Sequence, residues 1–374
     1  MKKEVIFQGY YGFKNAGDDS FVEVSSWGSK RFWGFEKATY IGKELPEVRG
    51  EIRKVNSSNN LLLNHLNNIQ IITNSHALIS AGGSIFHSIP HLLNLKNLAR
   101  FKKKLNSNFI LGAIGVSIGP FKSPKEEKVI INQLSCYDFI SVRDKASFNL
   151  LSEYQLPFKP ILSFDLAALQ PTIYDYDYSN KDASNIVGLS ICPFESFFVD
   201  EDSSLEYKRG NYYFEVCKEI YNNNNSVEFI IYVFNGNSKV GDAFWSIWLF
   251  NKLKDFGIGK VYLENYDFNV FSFWKKVVRC DVMLATRLHA GIYACFADIP
   301  FFLVEYHKKC SDFLDTIGFE DLRIDKFLSV DSQLLADRVI QILDNIKEFK
   351  KPKRIGDCIK NALKSFSAHS EFFI

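Results

Sequence analysis

Short apolar runs recur along this chain, and each ends abruptly in glycine, serine or a charged residue. Residues 4–8, 77–81, 109–114, 139–142 and 161–164 make one series, and residues 186–192, 227–234, 260–263, 281–285 and 301–304 make a second. Runs of that length, nearly continuous in Val, Ile, Leu and Phe, read as strands buried on both faces. Segments with helical spacing separate them, at 20–27, 124–134, 145–154, 205–222, 240–256, 269–279, 288–297 and 330–349. This alternation predicts parallel sheets with helices on both faces. In such sheets ligands bind beyond the carboxyl ends of the strands. The residues at those ends are therefore the first to read for function.

The richest end is Met283-Leu284-Ala285-Thr286-Arg287-Leu288-His289-Ala290-Gly291, with a helix expected from Leu288 and closed by Pro300. A helix start offers backbone N–H groups to an anion. Arg287 adds a permanent fork of donors suited to phosphate or carboxylate. His289 adds a group that exchanges a proton near neutral pH. The competing reading of Arg287 is an ion pair within its own domain, and that of His289 is a structural residue beside a helix start.

Other strand ends carry Gly and polar residues. Gly9-Tyr10-Tyr11-Gly12-Phe13-Lys14-Asn15-Ala16-Gly17-Asp18-Asp19 follows the first strand, with Asn15 and Asp18 as turn and N-cap candidates. Its spacing is not that of a dinucleotide-binding loop, and no acidic ribose reader follows. Gly82-Gly83-Ser84 closes the strand at 77–81, with Ser84 expected to begin the next helix. Ser117, Arg143-Asp144, Asp165 and Glu305-Tyr306-His307-Lys308-Lys309 stand at further strand ends. Arg143 is equally suited to pairing with Asp144 or Asp165. Residues 28–68 give no readable elements beyond a charged aromatic loop at 30–35 and a polar turn at 56–60.

A chain of 374 residues exceeds one ordinary core, and two domains are expected. The polar stretch 174–185 reads as their linker, giving domains at 1–173 and 186–345 and a tail, 346–374, that could pack back on the first. A net charge of +2 leaves no excess of Lys and Arg for a nucleic-acid backbone. The seven cysteines show no zinc spacing, and the odd count fits a reducing compartment. No apolar run approaches the roughly 20 residues of a membrane span. A cytoplasmic protein is expected, with peripheral membrane association through Lys- and aromatic-rich stretches compatible with the sequence.

Taken in order, Gly9 to Asp18, Gly82-Gly83-Ser84-Ile85-Phe86, Gly115-Val116-Ser117-Ile118-Gly119-Pro120, Ser141-Val142-Arg143-Asp144, and Arg287-Leu288-His289-Ala290 with Tyr306 and Lys308 resemble the polysaccharide pyruvyl transferase family. The resemblance runs from about residue 5 to about residue 310. It departs at Ser84, where a third glycine is common, and at Ser163-Phe164-Asp165-Leu166, where Asp-Pro-Ala is usual. It implies an α/β fold of two Rossmann-like domains facing a cleft, similar to the GT-B glycosyltransferases. It also implies pyruvyl transfer from phosphoenolpyruvate to two hydroxyls of a sugar in a surface polysaccharide or its lipid-linked precursor, giving a cyclic ketal. Such an enzyme would work at the inner face of the cell membrane.

That chemistry needs an acid, a base and anion clamps. On the resemblance, His289 is the acid/base and Arg287 a clamp. Lys308, with Lys309 as its stand-in, is a second cation, and Tyr306 and Arg143 are further contacts. Gly12, Asn15, Gly17, Asp18, Gly82, Gly83 and Ser84 shape the acceptor side, and Ser117 is a further substrate contact. No step requires a metal or an organic cofactor. Two other classes stay open: a GT-B-like glycosyltransferase using a nucleotide sugar, and a non-catalytic glycan-binding relative.

Overall fold

The computed structural model describes residues 4–42, 44–57, 60–91, 94–177, 184–198 and 203–373. Ser58 and Asn59 of the expected polar turn, and residues 178–183 of the expected linker, lie outside them. The chain divides into two compact units. The first holds residues up to Gly12, Asp18–Ile173 and the chain from Gly356, and the second holds Phe13–Gly17 and Tyr174–Ile355.

The first unit is built on β1 (Val5–Gln8), α1 (Ala16–Trp33), β2 (Ala38–Gly42), β3 (Ile52–Asn56), α2 (Leu61–Asn74), β4 (Ala77–Ala81), α3 (Leu95–Leu105), β5 (Ile110–Val116), α4 (Pro124–Leu134), β6 (Phe139–Val142), α5 (Lys145–Ser152), β7 (Ile161–Leu162) and α6 (Gln170–Tyr174). Its sheet runs β3-β2-β1-β4-β5-β6-β7, all parallel. Every residue of β1, β4 and β6 is buried, as strands covered on both faces require. Ile6, Leu78, Leu111 and Ile140 sit in the core, under Ala99 of α3 and Ile130, Ile131 and Leu134 of α4.

The second unit comprises β8 (Ile186–Ser190), α7 (Glu195–Phe198), α8 (Ser204–Asn223), β9 (Glu228–Val233), α9 (Ala243–Asp255), β10 (Val261–Asn265), α10 (Val270–Val277), β11 (Val282–Ala285), α11 (Leu288–Phe296), β12 (Phe301–Glu305), α12 (Lys308–Ile317), β13 (Ile324–Asp325) and α13 (Ser332–Asp344). Its parallel sheet runs β10-β9-β8-β11-β12-β13. The last helix, α14 (Ile355–Ser367), carries the tail of the first unit. There Trp33 Nε1 donates to Phe366 O (2.9 Å) and Trp33 stacks on Phe373 with centroids 4.5 Å apart.

Several elements differ from the sequence reading. α1 starts at Ala16, not near Ser20, because the Asn15 side chain accepts Gly17 N–H (3.2 Å) and caps the helix. Asp18 is therefore a first-turn residue and not the N-cap. No helix begins at Ser84. Instead Ser117 N donates to Gly83 O and Gly119 N to Phe86 O, both at 2.9 Å, so the chain after β4 runs beside the end of β5. The next helix is α3, at Leu95. α9 begins at Ala243 and not at Val240, because Asp242 turns its carboxylate away from the helix to an arginine 45 residues on. The run expected as one helix at 330–349 is α13 followed by a short 3-10 turn, Ile346–Glu348.

Candidate active site

Both sheets reverse their strand order between two central strands, β1 and β4 in the first unit and β8 and β11 in the second. Loops leaving such a pair diverge to opposite faces and open a crevice, the usual ligand position in this architecture. The two crevices are furnished differently.

In the first unit the crevice holds an aromatic side chain of its own. Tyr11, only 3% exposed, places its hydroxyl 2.8 Å from Ala81 O and 3.0 Å from Gln8 O, donating to one at a time across the ends of β4 and β1. Gly12 N–H donates to Asp19 Oδ1 (2.9 Å). Gly82 has φ +70°, and a Cβ there would lie 2.2 Å from the Phe21 ring, so only glycine fits. Gly83 follows, with the Asp18 carboxylate 3.9 Å from where its Cβ would stand. Alongside, Arg143 stitches neighbouring strand ends together. Its Nε donates to Ser117 Oγ (2.9 Å), Nη1 to Asp165 Oδ2 (2.6 Å) and Nη2 to Ser84 Oγ (3.4 Å). Ser117 in turn donates to Asp144 Oδ2 (2.6 Å). Arg143, Ser84 and Ser117 are thus brought together as one network, in which Asp165 pairs with Arg143 and Asp144 accepts from Ser117. Asp165 also caps the 3-10 turn Leu166–Leu169 by accepting Ala167 N–H (3.0 Å).

In the second unit the crevice carries the cation and the imidazole. β11 ends with Thr286 N–H donating to Ser190 O (2.7 Å) at the end of β8. Arg287 follows in extended conformation (φ −64°, ψ 129°) at the N-cap of α11, and its own side chain does not cap the helix. Ala290 N–H closes the first turn by donating to Arg287 O (3.0 Å). Arg287 directs Nε (2.8 Å) and Nη2 (2.5 Å) to Oδ1 of Asp242, whose side chain is fully buried. Asp242 Oδ2 accepts Asn235 N–H (3.0 Å). Burial opposes charge on Arg287, but the Asp242 carboxylate and the polar groups beside it together outweigh burial, and the guanidinium is held more firmly protonated than a free arginine. With Nε and Nη2 committed, Nη1 has no hydrogen-bond acceptor among the described residues, and the side chain keeps 20% exposure.

Residues 13–17 complete this site. Ala16 N donates to Phe234 O (2.8 Å), Gly236 N to Lys14 O (2.7 Å) and Tyr293 Oη to Ala16 O (2.9 Å). Asn15 and Asn235 form an antiparallel bridge. The segment is thereby fastened to the end of β9, and Gly17 meets His289. A Cβ on Gly17 would stand 2.1 Å from His289 Nδ1 and 2.2 Å from Cγ, so the ring rests on a backbone without a side chain. Asn15, Gly17, Arg287 and His289 are thus brought together.

Tyr306 lies at the edge of this group. Its ring packs against Phe194 with centroids 5.1 Å apart, Arg209 sits 5.8 Å from its centroid, and its hydroxyl meets the Cys192 thiol. Burial pushes that thiol up to about 11 and raises the Tyr306 phenol, so both are neutral near pH 7. Lys308 and Lys309 open α12 on its exposed side. Lys308 Nζ is taken by Asp312 Oδ1 (2.6 Å) one turn further on, with the lysine side chain 74% exposed. The residue expected as a second cation thus pairs locally on the surface of α12.

Asp242, Asn235 and the buried Arg209–Glu195 pair, with Nη2 to Oε2 at 2.6 Å, escaped the sequence reading. Glu206 reinforces that pair by accepting Phe194 N–H (2.9 Å) and Ser196 N–H (3.0 Å), fixing the loop after β8. The signal for Asp242 was present: Asn235-Gly236-Asn237 and Gly241-Asp242 follow a buried strand, as do the other polar strand ends.

The chain matches the polysaccharide pyruvyl transferase family over residues 13–308. No curated protein sequence matches it. Solved structures share the GT-B-like, two-unit α/β fold at low identity. A UDP-N-acetylglucosamine 2-epimerase from Listeria monocytogenes, described as putative, is similar at TM-score 0.61 and 12% identity, over 99% of this chain and 97% of that one. A UDP-GlcNAc 2-epimerase from Neisseria meningitidis, bound to UDP-GlcNAc, aligns at TM-score 0.53 and 12% identity, over 96% and 98%. A wall teichoic acid polymerase aligns at TM-score 0.56 and 11% identity, over 100% and 88%. The family match spans the strand-end loops of both units, from Asn15 and Gly17 to Arg287 and His289. The chain belongs to the polysaccharide pyruvyl transferase family.

Proposed function

We propose that this protein moves a pyruvyl group from phosphoenolpyruvate onto two hydroxyls of a sugar, closing a pyruvate ketal, with the donor held at the crevice between β8 and β11. The observation that carries this reading is the pairing there of an oriented guanidinium and an imidazole. Arg287 is held by buried Asp242, and His289 lies against Gly17. The donor carries a carboxylate and a phosphate, and Arg287 Nη1 at the positive end of α11 offers a donor to one of them.

His289 protonates the methylene carbon of the donor, and positive charge develops on the neighbouring carbon. A sugar hydroxyl adds there and its proton returns to His289. Phosphate then leaves, and the second hydroxyl closes the ring, its proton going to the departing phosphate. The products are the ketal and inorganic phosphate, and no redox change occurs. The fully buried Asp242 balances the charge of Arg287, so binding the donor brings an anion to a pair and not to a lone cation. The crevice of the first unit, with Tyr11, Gly82 and the Arg143 network, suits the neutral acceptor. A lipid-linked acceptor sugar would bring the enzyme to the inner face of the membrane.

A second reading has its own support. The similar epimerase structures are of UDP-sugar enzymes, one with UDP-GlcNAc bound, which favours a nucleotide sugar as the ligand. Thermal shift separates the two readings. A ligand that binds only the native state stabilises it by about 2.7 kcal/mol at a hundredfold excess over Kd. Phosphoenolpyruvate is expected to raise the melting temperature where UDP-, GDP- and CMP-sugars do not, and Arg287→Ala is expected to remove that increment whatever its own melting temperature. A shift with a nucleotide sugar alone would replace the pyruvyl donor with that ligand.

A further inference from the structure

From Ile52 to Lys125 the sequence contains no aspartate or glutamate, although the chain has 43 acidic residues. The same 74 residues carry nine Lys and Arg, so the remainder of a chain with net charge +2 stands at −7. The positive charge is therefore concentrated in the segment holding α2 and α3.

These two helices also expose apolar side chains. On α2, Leu62 is 69% exposed, Leu63 52%, Leu66 55% and Ile69 45%. On α3, Phe101 is 64% and Leu105 74% exposed. Single exposed leucines are ordinary, but six large apolar side chains on two adjoining helices are not. The helices form one surface. They pack together, and Lys102 Nζ ties them by donating to Ile72 O (2.7 Å), Thr73 O (2.9 Å) and Ser75 O (2.6 Å) at the end of α2. The spacing of Phe101, Lys104 and Leu105 places them on one face of α3. Beyond that ridge an open groove of about 760 Å³ runs between α3 and α4, lined in part by Ile89, Arg100, Phe101, Lys104 and Val129.

Charge alone would serve any polyanion, and apolar surface alone would serve a protein partner. Their combination on helices without a carboxylate matches a bilayer with anionic headgroups. There Lys and Arg meet the headgroups, and Leu and Phe enter the acyl boundary. We propose that the α2–α3 face of the first unit docks on an anionic lipid surface, with Leu62, Leu63, Leu66, Phe101 and Leu105 inserted and Arg100 and Lys104 on the headgroups. This interaction goes beyond the transfer chemistry and does not depend on it.

The test is co-sedimentation of the full chain with vesicles of phosphatidylcholine alone or mixed with phosphatidylglycerol. Binding is expected only to the mixed vesicles and should weaken as salt rises. Leu66→Glu with Phe101→Glu, and separately Lys104→Glu, should each lower it about tenfold or more. All three positions are exposed, so melting temperature and any phosphoenolpyruvate-induced shift should not change. Absent binding, equal binding to neutral vesicles, or wild-type binding by the variants would overturn the proposal. So would concentration-dependent self-association lost in Leu66→Glu/Phe101→Glu without vesicle binding, which would make the face a contact between copies.

Discussion

Replacing His289 with alanine is expected to lower the transfer rate by about 10²- to 10⁴-fold, the span of a positioned acid or base, while the protein stays folded. The side chain is half-buried and lies outside the apolar core, so its removal opens no core cavity. Ligand-induced stabilisation by phosphoenolpyruvate should persist, because Arg287 and the start of α11 remain. Gly17→Ala is the companion experiment. The added methyl would collide with Nδ1 and Cγ of the ring, which are the near atoms of the imidazole and cannot simply swing aside. The ring must rotate or residues 13–17 must shift, and the rate should fall although no functional group has been removed. Wild-type turnover in His289→Ala would end the assignment of this residue as acid/base. Wild-type turnover in Gly17→Ala would show that the ring position is not decisive.

Asp242→Ala is expected to destabilise the protein by about 3–5 kcal/mol, the usual cost of removing one partner of a buried pair. Two consequences add together. Arg287 keeps its charge with no counter-ion at Nε and Nη2, and Asn235 N–H loses its acceptor. A urea melt gives the stability change directly. The same variant should bind phosphoenolpyruvate poorly, because a guanidinium free to rotate no longer presents Nη1 in one direction. Unchanged stability would mean that Asp242 contributes little to holding Arg287, and the orientation of the cation would need another cause.

The parts of the fold that the sequence made legible are those whose residues face one environment. β4, β6, β8 and β11 are buried at every position and announce themselves as apolar runs. β3, an edge strand with sequence Ile-Arg-Lys-Val-Asn and mostly exposed side chains, gives no such run. α2 hid for the opposite reason: its leucines and isoleucines point to solvent as well as to the core, so no polar face marks its period. At the site, Arg287 and His289 were legible because they stand together at a strand end. Asp242 also follows a strand end, but its role was hidden, because its partner lies 45 residues away and its neighbour Val240 extends an apolar helical pattern backwards. Asp165 stood out in the sequence as a departure and as one of two possible partners of Arg143. Its meaning comes from Arg143, which reaches it across the sheet end.

The five residues from Phe13 to Gly17 belong with the second unit although the chain on either side belongs to the first. Recombination at the linker would therefore separate a site from part of itself. A fragment beginning at Tyr174 would keep Arg287, Asp242 and His289, yet Phe234 O, Gly236 N and Tyr293 Oη would lose their partners, and His289 its glycine floor. Exchange of second units between relatives would have to carry this pentapeptide along, in a gene segment more than 150 residues upstream. Change in the two stretches is thus tied together, and the site around Arg287 and His289 is inherited as a discontinuous whole.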